Sequence, residues 1–211
     1  MTASETRSSK GALLKAAKKV FATKGYDGAT VKDIAEAAGV NVSLVSYHYD
    51  GKENLFRTCI REFAESRLDA FTKILKGPES VEDMRVRLTL FVEDFFDYDQ
   101  REPEINAIMH RDCGANNPLT DDIYRTVFFK AFAVMTDFFK TAQARGILAK
   151  DIDVDDRAIL FLGGLVHVVR TEAMRVKIIG IGLKNPEYRE RVTKSTVRMA
   201  LEGALVPKPE T

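Results

Sequence analysis

Apolar side chains recur every three or four residues along most of this 211-residue chain. That spacing is the period of an amphipathic helix, and no segment shows a convincing strand-like alternation. Glycine and proline interrupt the pattern at 114–118, at Gly146 and at 180–185. The sequence therefore predicts an all-α fold. The expected helices are one around Leu13–Phe21 that ends at Gly25, a short pair within 31–47, and then 52–75, 81–98, 102–112, 120–145, 155–179 and 186–205.

The short pair of helices is the most distinctive local pattern. Thr30 is a typical N-cap, and Asp33 places an acidic residue in the first turn of the helix that follows. Gly39 permits the left-handed backbone that ends a helix, and Asn41 is a plausible N-cap for a second helix over 42–47. Two short helices joined by a glycine turn make a helix-turn-helix, whose second helix enters the major groove of DNA.

The second helix of this motif is expected to have one buried and one outward face. Val45 and Tyr49 fall on the inward side. The outer face and the N-terminal end then carry Val42, Ser43, Leu44 and Tyr47. In a helix-turn-helix these are the positions that face the groove.

Charge is distributed unevenly along the chain. Residues 1–60 carry a net charge of +3 and the remaining residues a net charge of −2, although the whole chain has only +1. A positive N-terminal end is expected for a protein that binds a polyanion, and a solvated lysine face would give the same count. The charge therefore supports DNA binding only together with the motif.

The order of residues from 30 to 55 resembles the DNA-binding domain of the TetR/AcrR repressors. The resemblance covers roughly residues 10–56 and includes the helix before the motif and an aromatic-His-aromatic exit before a lysine. The residues that carry it are Thr30, Ile34, Ala35, Ala38-Gly39-Val40, Tyr47-His48-Tyr49, Lys52-Glu53 and Leu55.

The resemblance implies a division of labour among the residues that touch double-stranded DNA. Phosphate contacts position such a protein, and base contacts select the sequence. The residues implied for phosphates are Thr30, Tyr47, His48 and Lys52. Those implied for base edges are Val42, Ser43, Leu44 and Val31. The chain departs from the family pattern at Ser46, where many relatives have tyrosine. Since the base-facing side chains offer little bidentate hydrogen bonding, we expect specificity to depend on thymine methyl groups and DNA shape.

The resemblance also implies a two-part organisation. Residues 1–51 would form a three-helix DNA-binding domain, and residues 52–211 a helical domain for ligand binding and dimerisation. The predicted helix over 52–75 joins the two, since its first residue belongs to the motif and its later apolar residues belong to the core. A tilt of this helix would move the DNA-binding domain.

Phenylalanines are concentrated on the helices predicted over 81–98 and 120–145. Ordinary core packing is one interpretation of this spacing. The other, implied by the family, is an apolar pocket for a small-molecule effector, with a few polar groups that orient it. The expected lining residues are Phe63, Phe71, Phe91, Phe95, Asn106, His110, Phe128 and Phe132. Further candidate polar groups are Asp94 and Glu93.

Two adjacent glycines, Gly163 and Gly164, lie inside an apolar predicted helix, where glycine costs roughly 1 kcal/mol relative to alanine. Close helix approach would explain them, either within one chain or between two. The family implies a homodimer built from the last two helices, which would read a palindromic operator. The residues expected at that interface are Leu160, Gly164, Leu165, Val168, Thr196, Met199, Ala200 and Gly203.

Other classes of function find little support. The longest apolar run, 158–169, is too short for a membrane span of about 20 residues, and the N-terminus has no signal segment, so we expect a cytoplasmic protein without a membrane partner. His48, His110 and His167 share no metal-ligand spacing, and no cofactor motif occurs. Neither a metal nor a cofactor is expected.

Two alternatives to an effector-controlled repressor stay open. The first is a DNA-binding regulator of the same fold that takes no small ligand and responds to a protein partner. The second is an enzyme in which His110 and Cys113 converge in a cleft.

Overall fold

The computed structural model describes residues 3–112 and 117–202. Within these ranges, every element of regular secondary structure is a helix. Within these ranges no helix is both long enough and apolar enough to cross a membrane. The predicted all-α fold is confirmed. The helices are α1 (Ala3–Gly28), α2 (Val31–Ala38), α3 (Ser43–Tyr49), α4 (Lys52–Ile74), α5 (Val81–Arg101), α6 (Pro103–Asp112), α7 (Asp121–Ile123), a π-helical turn (Tyr124–Phe128), α8 (Phe129–Ala144), α9 (Val154–Arg170), α10 (Glu172–Ile179) and α11 (Pro186–Leu201).

The chain forms two compact units. The first comprises residues 1–67 and 102–129, and the second comprises 68–101 and 130–211. The functional boundary predicted between residues 51 and 52 is a different kind of division, and it stays a prediction.

The first unit is built around α1. Leu13, Ala17 and Phe21 are fully buried along one face of this helix, as their helical spacing requires. The backbone leaves helical geometry at Gly25, where φ is 76°, so the predicted helix end is correct although a short helical stretch follows. The N-terminal half of α4 packs Phe56 into the same core, and its ring meets that of Phe21 edge-on at 5.1 Å.

The second unit packs α5, α8, α9 and α11 around an aromatic core. Phe91, Phe138 and Phe139 are almost completely buried. Arg189 fixes α11 to α5, because its guanidinium lies 2.7 Å from Asp97 Oδ1 and donates to the Glu93 carbonyl oxygen at 3.0 Å. The core of this unit therefore has a polar clamp on one side.

Two segments that were each predicted as one continuous helix are interrupted. The segment predicted as one helix over 155–179 breaks at Thr171, where ψ is 2° and the hydroxyl donates to the His167 carbonyl oxygen at 2.8 Å. The segment predicted over 120–145 contains a π turn, in which the Phe129 amide donates to the Tyr124 carbonyl oxygen five residues back.

Candidate nucleic-acid interface

The first helix of the motif, α2, begins with a complete capping box. The Asp33 amide donates to Thr30 Oγ1 at 3.1 Å, and the Thr30 amide donates to Asp33 Oδ2 at 3.0 Å. Lys24 Nζ lies 2.8 Å from Asp33 Oδ1. The hydrogen bond from Lys24, followed by those from Thr30, lowers the pKa of the Asp33 carboxyl to about 2. The caps predicted from sequence are therefore present, and they fix the entry of the chain into the motif.

The turn between α2 and α3 depends on Gly39. Its φ of 67° lies in the left-handed region, which glycine adopts without steric cost. Asn41 Oδ1 then accepts hydrogen bonds from the Ser43 amide at 2.9 Å and from the Ser43 hydroxyl at 2.8 Å. The helix thus starts one residue later than predicted and extends to Tyr49, with Val42 and not Asn41 in the N-cap position.

The exposed side of α3 is the one predicted to face DNA. Val45 and Tyr49 are buried, whereas the ring of Tyr47 keeps 72% of its surface exposed. Val42 and Ser43 are exposed, and Leu44 is half-buried. On α2, Val31 is half-buried and Thr30 is exposed. Three of the four candidate base-facing residues, Val42, Ser43 and Leu44, therefore lie at the N-terminal end of α3, and the fourth, Val31, begins α2.

Two hydrogen bonds attach the end of α3 to α1. Ser9 Oγ and His48 Nε2 are 2.9 Å apart, and the Tyr49 hydroxyl donates to the Lys10 carbonyl oxygen at 2.8 Å. His48, predicted to hold a phosphate, thus uses one ring nitrogen within the chain. A phosphate contact from His48 would involve its other ring nitrogen or follow exchange of this bond.

Lys52 has a structural role that the sequence did not reveal. Its ammonium donates to the carbonyl oxygens of Tyr26 at 2.9 Å and Ala29 at 3.0 Å, and it lies 4.3 Å from the centre of the Tyr26 ring. An ammonium group has three donors. Two of them hold the chain that leaves α1, so one is left for the predicted phosphate contact.

Arg111 is a second residue that the sequence pattern did not indicate. Its guanidinium donates to the carbonyl oxygens of Ala22 at 2.9 Å and of Phe21. The same group packs against Gly25, where a Cβ would meet Arg111 Nε at 3.6 Å. Arg111 therefore closes the C-terminal end of α1 from α6, as cationic side chains do at helix ends. The only signals in the sequence were the glycine and the arginine, 86 positions apart.

The predicted pocket residues fall into two groups, one in each compact unit. In the first unit, the rings of Phe63 and Phe128 are 6.0 Å apart; Asn106 is half-buried and His110 is exposed on α6. Their assignment to an effector pocket stays a prediction.

The second unit contains the other four predicted pocket residues. Phe71 and Phe91 are buried, with ring centres 4.6 Å apart. Phe95 and Phe132 are partly buried and pack against the same core. Glu93, a candidate polar group for the pocket, instead accepts hydrogen bonds from Arg189 at 2.6 Å and from Thr193 at 2.8 Å. These bonds assign Glu93 to the attachment of α11.

The predicted interface residues divide into exposed and buried sets. Leu160 and Met199 keep 72% and 73% of their surfaces exposed, Gly164 is also exposed, and Thr196 and Val168 are half-buried. Leu165 and Ala200 are buried in the core of their own chain, so assigning them to a contact with a second copy was wrong. They lie on the inward faces of α9 and α11. Gly203 lies outside the described residues.

Packing within the described part of the chain does not explain Gly163 and Gly164. A Cβ built at either position would meet no atom of the described residues within 4 Å. The close approach of another helix within residues 3–112 and 117–202 is therefore not the reason for these glycines.

In the described ranges, no group of three His, Cys, Asp or Glu side chains could hold a metal ion. Burial raises the pKa of the Cys59 thiol to about 12, which keeps it protonated. Cys113, the cysteine of the enzyme alternative, lies outside the described residues.

Comparison with known proteins agrees with the motif and with the fold. Residues 13–59 match the family described as "Bacterial regulatory proteins, tetR family". The chain is 27% identical over 126 residues to "Probable HTH-type transcriptional regulator YttP" of Bacillus subtilis, a match that spans 58% of this chain and 59% of that protein. The match to this relative therefore covers less than two thirds of the relative's length.

Longer matches extend beyond the motif. The chain is 26% identical over 160 residues to "HTH-type transcriptional repressor NicS" of Pseudomonas putida, which is 74% of this chain and 72% of that protein. The structure of the Bacillus subtilis regulator FadR in complex with stearoyl-CoA superimposes with a TM-score of 0.75 at 16% identity, over 92% of this chain and 98% of that one. The motif, the helical fold and these matches lead to one conclusion: residues 13–59 form a DNA-binding domain of the TetR family of bacterial transcriptional regulators, in a chain that has the TetR fold.

Proposed function

We propose that this chain is a transcriptional repressor that binds a palindromic operator as a homodimer and leaves it when a small, largely apolar effector binds. The observation that carries the proposal is the helix-turn-helix itself. Its first helix is capped by Thr30 and Asp33, its turn is set by Gly39, and its second helix presents Ser43 and Tyr47 outward. This is the arrangement that places a recognition helix in the major groove.

On this proposal, two kinds of residue contact DNA. Thr30, Tyr47, His48 and Lys52 hold phosphates and set the position of the protein. Base edges are read by Val31, Val42, Ser43 and Leu44, with thymine methyl groups as the main targets of the apolar side chains.

The operator can be identified by selection from random DNA. The full-length protein would be used to select duplexes from a random-sequence library, and binding of the enriched duplex would be measured by fluorescence anisotropy at several salt concentrations. We expect one palindromic sequence with half-sites roughly 34 Å apart, or a multiple of that distance. Binding of all duplexes with equal affinity would contradict a sequence-specific repressor.

The homodimer is supported by the exposed apolar side chains of α9 and α11. Leu160 and Met199 keep 72% and 73% of their surfaces exposed, and no atom of the described residues lies within 4 Å of a Cβ built at either adjacent glycine of α9. Such a surface on a single chain marks an interaction site. A second copy of the chain, related by a twofold axis, would cover it and would present two recognition helices to a palindrome.

An apolar effector is supported by the aromatic core of the second unit, which includes Phe71 and Phe91. The related FadR structure contains stearoyl-CoA, which is an apolar chain on a polar carrier. Moving DNA occupancy from 99:1 to 1:99 requires about 5.5 kcal/mol of differential effector binding. Burial of a few rings or an acyl chain is of this size, at about 0.8 kcal/mol per CH₂ group.

We assign the transmission of the signal to α4, since residues 52–67 of this helix belong to the first unit and the rest to the second. An effector that displaces its C-terminal end would change the separation of the two recognition helices in the dimer. A thermal-shift screen of lipophilic compounds, followed by operator release with each hit, tests this part of the proposal. Hits that stabilise the protein but leave operator binding unchanged would contradict it.

A regulator of the same fold controlled by a protein partner is the second candidate. One observation favours it: α10 contains no buried residue, and Met174, Ile178 and Ile179 are exposed on it. A screen without hits, together with a dimer that leaves α10 uncovered, would favour this candidate. The enzyme alternative based on His110 and Cys113 is wrong, because the TetR family consists of transcriptional regulators and not of enzymes.

A further inference from the structure

One buried hydroxyl group in the second compact unit has no hydrogen-bond partner within the part of the chain that the structure describes. Thr136, on α8, keeps only 4% of its surface exposed, and its Oγ1 has no partner among the described residues. Buried polar atoms almost always have a partner, because an unmade hydrogen bond inside a protein is costly. This exception therefore requires an explanation.

The orientation of the Thr136 side chain is itself unusual for this protein. A threonine inside a helix can bond the carbonyl oxygen four residues back, and Thr141 on the same helix does so with Asp137 at 2.8 Å. Thr136 would have the Phe132 carbonyl oxygen available in the same way and does not use it. The threonines that do bond four residues back include Thr23, Thr58, Thr72, Thr89, Thr141 and Thr196.

Thr136 shares one face of α8 with two aromatic residues. Phe132 and Phe139 lie one turn away from it in either direction, so all three occupy one face of α8. The ring of Phe139 is 6.4 Å from that of Phe161, which in turn is 5.9 Å from that of Phe91. A single hydroxyl that can both donate and accept thus lies on the face that meets the aromatic core.

We infer that Thr136 is the hydrogen-bonding residue of the effector site, and that the effector is an apolar molecule carrying one hydroxyl or carbonyl group that reaches α8. This inference rests on the proposed effector-controlled function. The aromatic core supplies affinity for the apolar body of the ligand, and the hydroxyl selects among ligands of similar size. A site built to hydrogen-bond a polar group discriminates strongly against the analogue that lacks it.

The inference can be tested with two matched probes, 4-butylphenol and butylbenzene, which differ by one hydroxyl group. Isothermal titration calorimetry would measure both probes against the full-length protein and its Thr136→Val and Thr136→Ser variants. The matched control is Thr141→Val, because that hydroxyl is already bonded within the helix.

We expect the unmodified protein to prefer 4-butylphenol. Thr136→Val should lower the affinity for 4-butylphenol about tenfold and change the affinity for butylbenzene by no more than about twofold. Thr136→Ser should keep the preference for 4-butylphenol. Thr141→Val should behave as the unmodified protein. The unfolding temperature of Thr136→Val should rise by about 2–4 °C, since a buried unpaired hydroxyl is removed.

An equal loss of affinity for both probes in Thr136→Val would overturn the inference. Failure of the unmodified protein to bind either probe would also overturn it. Operator release by the same probes, measured separately, distinguishes this failure from failure of the proposed function. Release that is unaffected by Thr136→Val would leave the effector-controlled repressor intact and reject the role of Thr136. A preference that depends on Thr136 without operator release would support the site and reject the regulation.

Discussion

The proposed dimer gives a prediction whose size follows from the exposed surface of α9. Leu160 keeps 72% of its surface exposed in the single chain. Complete burial of a leucine contributes about 1.5–3 kcal/mol, so covering Leu160 contributes about 1–2 kcal/mol in each copy. A twofold interface counts the residue twice, which gives about 2–4 kcal/mol of dimer stability. Leu160→Asp removes this contribution and adds the cost of burying a carboxylate.

We therefore expect Leu160→Asp to raise the dimer dissociation constant by at least about 30-fold, since each 1.4 kcal/mol is a factor of ten. Analytical ultracentrifugation over a concentration series measures this constant directly. The matched control is Leu90→Asp on α5, because Leu90 is also exposed, at 55%, and lies outside the proposed interface. At concentrations where all three proteins are monomeric, both variants should unfold within about 0.5 kcal/mol of the unmodified protein, as expected for exposed positions.

Two results would refute this reasoning. The first is a dissociation constant that changes equally in Leu160→Asp and Leu90→Asp, which would mean that any exposed charge weakens association. The second is an unmodified protein that is monomeric at every concentration tested. In that case the exposed residues of α9 and α11 would need a different partner.

Three further predictions concern the DNA-binding unit. Arg111→Ala should lower the free energy of unfolding, measured by urea denaturation, by about 2–3 kcal/mol, because it removes two charge-assisted hydrogen bonds at the end of α1. The exposed control Arg125→Ala should change this free energy little. Lys52→Ala should weaken binding to all duplexes and also lower the unfolding temperature. Substitution of Ser43 should instead change the preferred DNA sequence with little effect on stability. Equal changes in both variants would contradict these separate roles. Asp33 has a pKa of about 2 in the folded protein, below its ordinary value of 3.8, so its contribution to stability should be present above about pH 4 and be lost as the pH falls toward 2. Asp33→Asn should flatten this part of the stability profile in urea titrations at each pH, and an unchanged profile would argue against the capping role.

The sequence predicted the helix-turn-helix accurately because every part of its signal is local. Thr30 and Asp33 are three positions apart, and Gly39 acts through its own backbone angle. A capping side chain, a left-handed glycine and a helical period are all readable within one or two turns. For the same reason, the buried positions Val45 and Tyr49 were identified correctly.

The residues that were missed or misplaced depend on contacts between distant parts of the chain. The side chains of Lys52 and Arg111 donate hydrogen bonds to backbone carbonyl oxygens at the end of α1. No local sequence pattern predicts such a bond. Leu165 follows Leu160 by five residues, which is nearly one and a half turns, so the two lie on different faces of α9. The apolar run alone could not decide which face met the core.

The way in which α1 ends also limits how this protein can be re-engineered. A chimaera that joins residues 1–51 to the regulatory part of a relative would transplant the recognition helix but not the two cations that hold the exit from α1. Those cations come from Lys52 and Arg111, one at the start of α4 and the other near the end of α6. Operator specificity is therefore best exchanged by substituting the outer residues of α3 alone, or by moving α1 to α4 together with α6 as one cassette. The segments that must be moved together are therefore those whose side chains bond to the end of α1, and a single boundary in the sequence does not contain them all.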